Sequence, residues 1–368
     1  MNKNKIRICH VSSAHPHNDT RVFFRECKSI AQAGYNVSLI IEGESEVCDG
    51  VNIIGLGEQP RSRLKRMVLF ARKAYYCARR LDADIYHFHD PEMMPYALKL
   101  KKKGKIIIMD CHEDIASAIL DKTWIPGALR KIISRIYGKY EKNVLKEFDG
   151  VIVVTKHIFN LFKDIAKQIV IVNNYPDLND IEYHDRPFEQ RDKIIGYAGN
   201  MSVLYGKEVL YSAMKSVDAK LILAGKQKQE QTENIKYIGC LNRRGVNELY
   251  GRSRLGVVLY QPAANNNESQ PAKLFEYMAA GLPVVVSDFP LWREIVEKNE
   301  CGLCVNPKDV GEISEKISYL IENPRIAQKM GENGYNAVST MMNWKNESQK
   351  IFKMYECLSE NRYKKTNY

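Results

Sequence analysis

The sequence predicts two α/β domains in tandem, each a parallel sheet covered on both faces by helices. Three observations predict this. The chain has 368 residues, too many for one ordinary core and suited to two domains of roughly 150–200 residues each. Short β-branched runs alternate with longer helical stretches throughout. These runs are apolar end to end rather than alternating with polar residues, the mark of strands buried on both faces of a parallel sheet.

In chain order, strands are expected at Ile6–Val11, Val37–Ile41, Val51–Ile54, Ile85–Phe88, Ile106–Met109, Val151–Val154 and Ile169–Val172. Helices between them include Thr20–Ala33, Leu64–Leu81 and Leu129–Lys146, long enough for right-handed crossovers. The pattern breaks at Asn173, where a polar stretch with no apolar period runs to about Arg191 and is read as a linker. It resumes with strands from Ile194 and at Lys220–Ala224, Ile235–Ile238, Leu255–Tyr260 and Pro283–Ser287. The domains are therefore set at residues 1–178 and 192–345, with a linker at 179–191 and a C-terminal helix and tail at 346–368. In such sheets ligands bind beyond the carboxyl ends of the strands, so a cleft between the two domains is the expected active site.

Composition narrows the class. Hydrophobic residues make up 45% and charged residues 27%, which is globular. No apolar run reaches the ~18 residues of a membrane-spanning helix, and Met1–Lys5 has no signal-peptide core. Both point to the cytoplasm. The nine cysteines are read as thiols, with Cys301 and Cys304 at a strand edge, since no second pair or histidines complete a zinc site. The net charge of +11 admits nucleic acid, an anionic membrane or a polyphosphate ligand. Basic residues crowd the first half, in Arg61–Arg66, Arg72-Lys73, Arg79-Arg80, Lys99–Lys105 and Arg130-Lys131, several among Leu, Ile, Tyr and Phe. This suits peripheral contact with an anionic membrane surface, although a solvated basic face gives the same pattern. No nucleic-acid motif accompanies it.

One segment carries chemistry. In Glu268–Val286, Ser269 or Gln270 is placed to cap a helix, Pro271 fits its first turn, and Gly281 and Pro283 end it. A helix start offers free amides and a partial positive charge to a diphosphate. Lys273 adds a full charge there. Glu276, on the same face, can accept two hydroxyls such as those of a ribose, and Glu268 lies where an attached sugar would sit. A surface helix with a Lys–Glu pair fits the same spacing.

The spacing from Glu268 to Glu276, followed by Ala279-Ala280-Gly281-Leu282-Pro283-Val284, resembles the signature of retaining glycosyltransferases of the family 4 type, in the GT-B superfamily. Pro271-x-Lys273-x-x-Glu276-Tyr277-Met278 is similar to members found in bacterial capsule, exopolysaccharide and O-antigen clusters. The likeness continues through Ser287–Glu294, His15–Val22 with Glu26, His87–Glu92 and Asp110–Asp114, and so spans nearly the whole chain.

The resemblance implies the GT-B architecture of two Rossmann-like domains, with the C-terminal helix crossing back to the first. It gives Glu276 the ribose and Glu268 the donor sugar, and assigns the diphosphate to Ser269, Gln270, Ala272, Lys273 and Leu274, with Gly199 and Asn200 facing it. The family has cationic residues near Asn200 and Tyr205, so charge here must come from Lys273, the helix start and Lys207, which also reads as a solvated helix lysine. His112 takes the catalytic position on the acceptor side, with a capping or core histidine as the alternative. His15, Asp19 and Arg21 are expected to face the cleft, and His89 and Glu92 to touch acceptor or donor phosphate. With a helix and a lysine holding the diphosphate, no metal or other cofactor is expected. The implied partners are a nucleotide sugar, UDP favoured, and a lipid-linked saccharide. A sugar-nucleotide 2-epimerase shares the architecture, and a non-catalytic nucleotide-sugar binding protein is a further alternative. A dehydrogenase does not fit, because no Gly-x-Gly-x-x-Gly follows the first strand.

Overall fold

The computed structural model describes residues 6–122, 124–263 and 266–366. It divides into two compact units, residues 1–173 with 347–368, and residues 174–346.

The first unit is built on eight strands: β1 (Arg7–Val11), β2 (Asn36–Ile41), β3 (Glu46–Cys48), β4 (Val51–Gly55), β5 (Ile85–Phe88), β6 (Ile106–Cys111), β7 (Gly150–Val153) and β8 (Ile169–Ile171). Their order is β3-β4-β2-β1-β5-β6-β7-β8, parallel except where β3 pairs antiparallel with β4. Every residue of β5, β6 and β7 is buried, as expected of strands covered on both faces. The three-residue edge strand β3 has no apolar run, which is why the sequence does not show it. The order reverses between β1 and β5. That is the topological switch point, where loops after neighbouring strands part and leave a crevice.

The second unit has β9 (Ile194–Ala198), β10 (Lys220–Ala224), β11 (Ile235–Tyr237), β12 (Gly256–Val258), β13 (Val284–Ser287) and β14 (Gly302–Val305). They form the ladders β11-β10-β9 and β12-β13-β14, joined by a parallel bridge between Ile195 and Leu255. The switch point lies between β9 and β12. Cys304 sits in β14, which the sequence reading left out because Gly302 and the thiols dilute its apolar signal.

The polar stretch read as a linker packs onto the second unit. Ile181 is 6% and Phe188 2% exposed, and the Arg191 guanidinium donates to the carbonyls of Arg186, His184 and Ser253. Its few apolar residues and its arginine, not a repeating pattern, attach it. The C-terminal helix, Trp344–Thr366, takes up nearly all of the stretch expected as helix and tail, and belongs to the first unit from Glu347 onward. Glu347 accepts from the Asn173 amide at 2.8 Å, and Tyr355 is fully buried beneath β1 and β5.

Candidate active site

In the second unit, β9 is followed directly by Gly199, whose φ of 133° is open to glycine and strained for other residues. A side chain there would also meet the Lys273 ammonium at 2.5 Å. Lys273 lies in the helix Ala272–Ala279, with its ammonium 5.0 Å from the centre of the Tyr197 ring. It therefore stands at the mouth of β9, beside Asn200, which supplies no cation. Burial lowers its pKa, and Glu276 opposes that shift. Glu276, one turn on, has Arg243 at 3.8 Å.

The helix start differs in detail from the expectation. Pro271 itself takes the cap position, with no side-chain cap. The Ser269 hydroxyl turns back to the Asn266 carbonyl at 3.0 Å. Leu274 is fully buried and its amide donates to the Pro271 carbonyl at 3.1 Å, so it serves the core and the helix, not a diphosphate. The amides of Ala272 and Lys273 remain at the helix start. Gln270 keeps a buried side-chain oxygen with no hydrogen-bond partner among the described residues. Asn200 is exposed, and its carbonyl accepts from the Tyr197 hydroxyl at 2.8 Å. Lys207 begins the helix Lys207–Met214, its ammonium 5.4 Å from the Tyr211 ring. Glu268 is exposed in the turn at residues 266–268.

An aromatic group that the sequence reading missed shapes this loop. Trp292, fully buried, donates its indole N–H to the Ser269 carbonyl at 2.7 Å. Tyr260 packs on Trp292 at 5.3 Å and on Tyr205 at 4.6 Å. Tyr205 is thus part of the wall joining the loops after β9 and β12, together with the Gln261 amide bonded to the Leu204 carbonyl.

In the first unit, the switch point gathers the loops after β1 and β5. Asp90 holds the first of these by accepting from the Ser12 hydroxyl and the Ser13 amide at 2.8 and 2.6 Å. Asp19 caps the next helical segment, accepting from the Arg21 and Val22 amides, and bonds His15 at 3.0 Å. Burial works to raise the Asp19 pKa, but the His15 contact and the two amides hold it well below its ordinary range. Burial likewise opposes the charge on His15, yet Asp19 and Asp90 win and raise its pKa.

Two expectations are corrected here. Arg21 does not face an open site: it is 4% exposed and forks onto Asp110 at 2.9–3.2 Å, with Glu26 at 2.9 Å. An unpaired guanidinium would be costly at this depth, so it is spent on buried carboxylates. His89 is 2% exposed, with its ring nitrogens 2.9 Å from His10 and 3.4 Å from His112, and so does not reach a ligand. The Glu92 side chain is mostly covered, bonded by the Ser13 hydroxyl at 3.3 Å. Burial, then Asp90, raise its pKa.

His112 follows β6 and remains one-fifth exposed, with Nε2 3.6 Å from Asp110. Burial, opposed by Asp110 and reinforced by Arg21, pushes its pKa down to about 3, so the ring is neutral near neutral pH. His15 lies 5.1 Å away between ring centres. These two rings are the groups of the cluster left open to a ligand. Beneath them lie the buried His10, His87, His89, Glu26 and Asp110. Of these the sequence reading assigned a role only to His89, because side chains inside strands show no chemical spacing until register sets His10 beside His87.

Residues 20–180 match the model for Glycosyltransferase Family 4, and residues 180–337 that for Glycosyl transferases group 1. The uncharacterized glycosyltransferase MJ1178 of Methanocaldococcus jannaschii is 26% identical over 234 residues, which take in 61% of this chain and 64% of that protein. The match thus spans under two thirds of that relative's length. Among solved structures, sucrose-phosphate synthase from Thermosynechococcus elongatus aligns with a TM-score of 0.77 at 17% identity, over 97% of this chain and 100% of that one. The Anabaena protein Alr3699/HepE, in complex with UDP and glucose, aligns with a TM-score of 0.71 at 14% identity, over 96% and 100%. With adjoining glycosyltransferase models over residues 20–337 and this fold in both units, the chain belongs to the GT-B glycosyltransferases of the group 1, family-4-like type.

Proposed function

We propose that the chain transfers a sugar, with retention, from a UDP-sugar to a lipid-linked saccharide in the synthesis of a surface polysaccharide. The observation that carries the donor half is Lys273: a partly desolvated ammonium beside Gly199, at a helix start, with Glu276 one turn away. A diphosphate lying across Gly199 meets the ammonium and the free amides of Ala272 and Lys273, while Glu276 takes the ribose hydroxyls. Charge that builds on the leaving diphosphate is then met by groups already in place, and such preorganised electrostatic stabilisation is usually the main source of catalysis. The sugar passes through an oxocarbenium-like state. The family's front-face path lets the leaving phosphate take the acceptor's proton, so no protein nucleophile is required. Glu268 holds the donor sugar's hydroxyls, and neutral His112 hydrogen-bonds the reacting sugars. UDP is favoured as the nucleotide because Alr3699/HepE, of the same fold, holds it.

The lipid-linked acceptor is supported by the first unit's surface. Leu64, Val68, Leu69, Trp124, Ile132 and Ile136 are 50–72% exposed among arginines and lysines, and Arg63 lies 5.1 Å over the Trp124 ring. Apolar side chains interleaved with cations suit the interface of an anionic bilayer. Among the described residues no helix is long and apolar enough to cross a membrane.

The test is a screen of nucleotide sugars for transfer to lipid-linked acceptors, with and without a chelator. Transfer that persists in chelator, yields the retained anomer and falls by ~10²-fold or more in His112→Ala supports the reading. A strict requirement for magnesium or manganese, or conversion of the donor without any acceptor, contradicts it.

A further inference from the structure

Behind His112 runs an unbroken line of side chains that ends on the C-terminal helix. The Tyr355 hydroxyl is 2.8 Å from His87 Nδ1 and 3.0 Å from His10 Nε2. His10 Nδ1 is 2.9 Å from His89 Nε2, and His89 Nδ1 is 3.4 Å from His112 Nε2. We propose that Tyr355, acting through His10 and His89, is a positioning residue that fixes which ring nitrogen of His112 carries its proton. The inference rests on the reading of His112 as the ring that meets the ligand, although the proton arrangement itself can be measured without it.

Each neutral imidazole has one N–H and one lone pair, so the protons along the line must all run one way or all the other. The charged groups around it make no hydrogen bond to the line among the described residues. Asp110 Oδ2 is 3.7 Å from His89 Nδ1 and 3.6 Å from His112 Nε2. Glu26 Oε2 is 3.8 Å from His10 Nδ1, 3.9 Å from His89 Nε2 and 4.0 Å from His87 Nδ1. Arg21 is turned onto Asp110 and Glu26, while Asp19 and Asp90 face His15. At 3.6–4.0 Å these contacts lie beyond hydrogen-bond length, so the decision passes to the hydrogen-bonded far end.

There, His87 Nε2 is buried with no hydrogen-bond partner among the described residues. An orphaned buried N–H is rarer in folded proteins than an orphaned acceptor, so His87 carries its proton on Nδ1 and donates it to the Tyr355 oxygen. Tyr355 then donates to His10 Nε2, His10 Nδ1–H to His89 Nε2, and His89 Nδ1–H toward His112 Nε2 and Asp110. His112 is left with its own proton on Nδ1 and offers that N–H as a donor. Removing the Tyr355 oxygen frees the line to run either way.

The experiment uses the full chain labelled with ¹⁵N at histidine and reads the tautomers from long-range proton–nitrogen correlations at neutral pH. Wild type is expected to show His112 as the Nδ1–H form. Tyr355→Phe, which keeps the ring, and His10→Asn, which cuts the line midway, are each expected to shift the tautomer ratio by on the order of fivefold or more, the size of one hydrogen bond. A His112 proton on Nε2 in wild type overturns the proposal. So does an unchanged ratio in either variant that keeps the wild-type backbone spectrum, or a stoichiometric metal ion retained on the nitrogens of His10, His87 and His89. Loss of transfer in His112→Ala tests the functional reading separately, because the tautomer does not depend on turnover.

Discussion

On the proposed reading Lys273 meets the phosphates of a nucleotide sugar and Glu276 its ribose, with Arg243 3.8 Å from Glu276. In Glu276→Gln the acceptor keeps its shape but loses its charge. Charged hydrogen bonds are worth ~1.5–3 kcal/mol each, so donor KM is expected to rise about tenfold or more, read from initial rates. Glu141 makes a different prediction. It is 4% exposed, and burial raises its carboxyl from 4.5 to about 7, with Tyr137 donating to it. The fold holds its neutral form, so this part of the stability is present below about pH 4.5 and lost as pH rises through about 7. Glu141→Gln keeps an acceptor for Tyr137 and is therefore expected to stabilise the protein by ~3 kcal/mol near pH 8 and by under ~1 kcal/mol near pH 5. Denaturant unfolding at the two pH values measures this, and an equal effect at both contradicts the assignment.

Helix starts and strand ends do the positioning, and they were unequally legible. Gly281, with φ of 71°, ends the helix Ala272–Ala279 where the sequence placed it, because a glycine followed by proline leaves few other readings. The buried strands from β5 to β7 were plain for the same reason: a short apolar run between helices has one home in such a fold. The edge strand β3 and the packed stretch around Phe188 were not, since neither carries a period. Nor was the work of Trp292 visible. An aromatic residue at a helix start reads as core, and only the folded chain shows its N–H on the Ser269 carbonyl. Trp292→Phe keeps most of the packing and removes that bond. It is expected to cost ~1–3 kcal/mol of stability and to weaken nucleotide binding, as measured by denaturation and by titration. Unchanged affinity would show that the loop at 266–270 does not need this anchor. The histidines of β1 and β5 make the same point, because motif spacing marked the loops that follow these strands while register assembled the cluster beneath them.

At the scale of the molecule, fold and chemistry meet at the two topological switch points, between β1 and β5 and between β9 and β12. The His15 and His112 rings open near one, and Lys273 with Gly199 at the other. The basic and apolar surface of the first unit adds a prediction of its own. The protein is expected to float with anionic phospholipid vesicles and not with zwitterionic ones, and to detach as salt rises, because the cations contribute through a screened field. Leu69→Glu with Ile136→Glu is expected to abolish flotation without unfolding the chain, since both side chains are mostly exposed. The proposed chemistry depends above all on the helix start at Pro271 holding a nucleotide diphosphate. Calorimetric titration of the purified chain with UDP in the presence of a chelator tests it most directly. One site is expected in the wild type, with binding weakened by ~10-fold or more in Lys273→Ala and in Glu276→Ala, and little change in Lys207→Ala. Binding that needs a divalent metal, or that survives intact in Lys273→Ala, would contradict it.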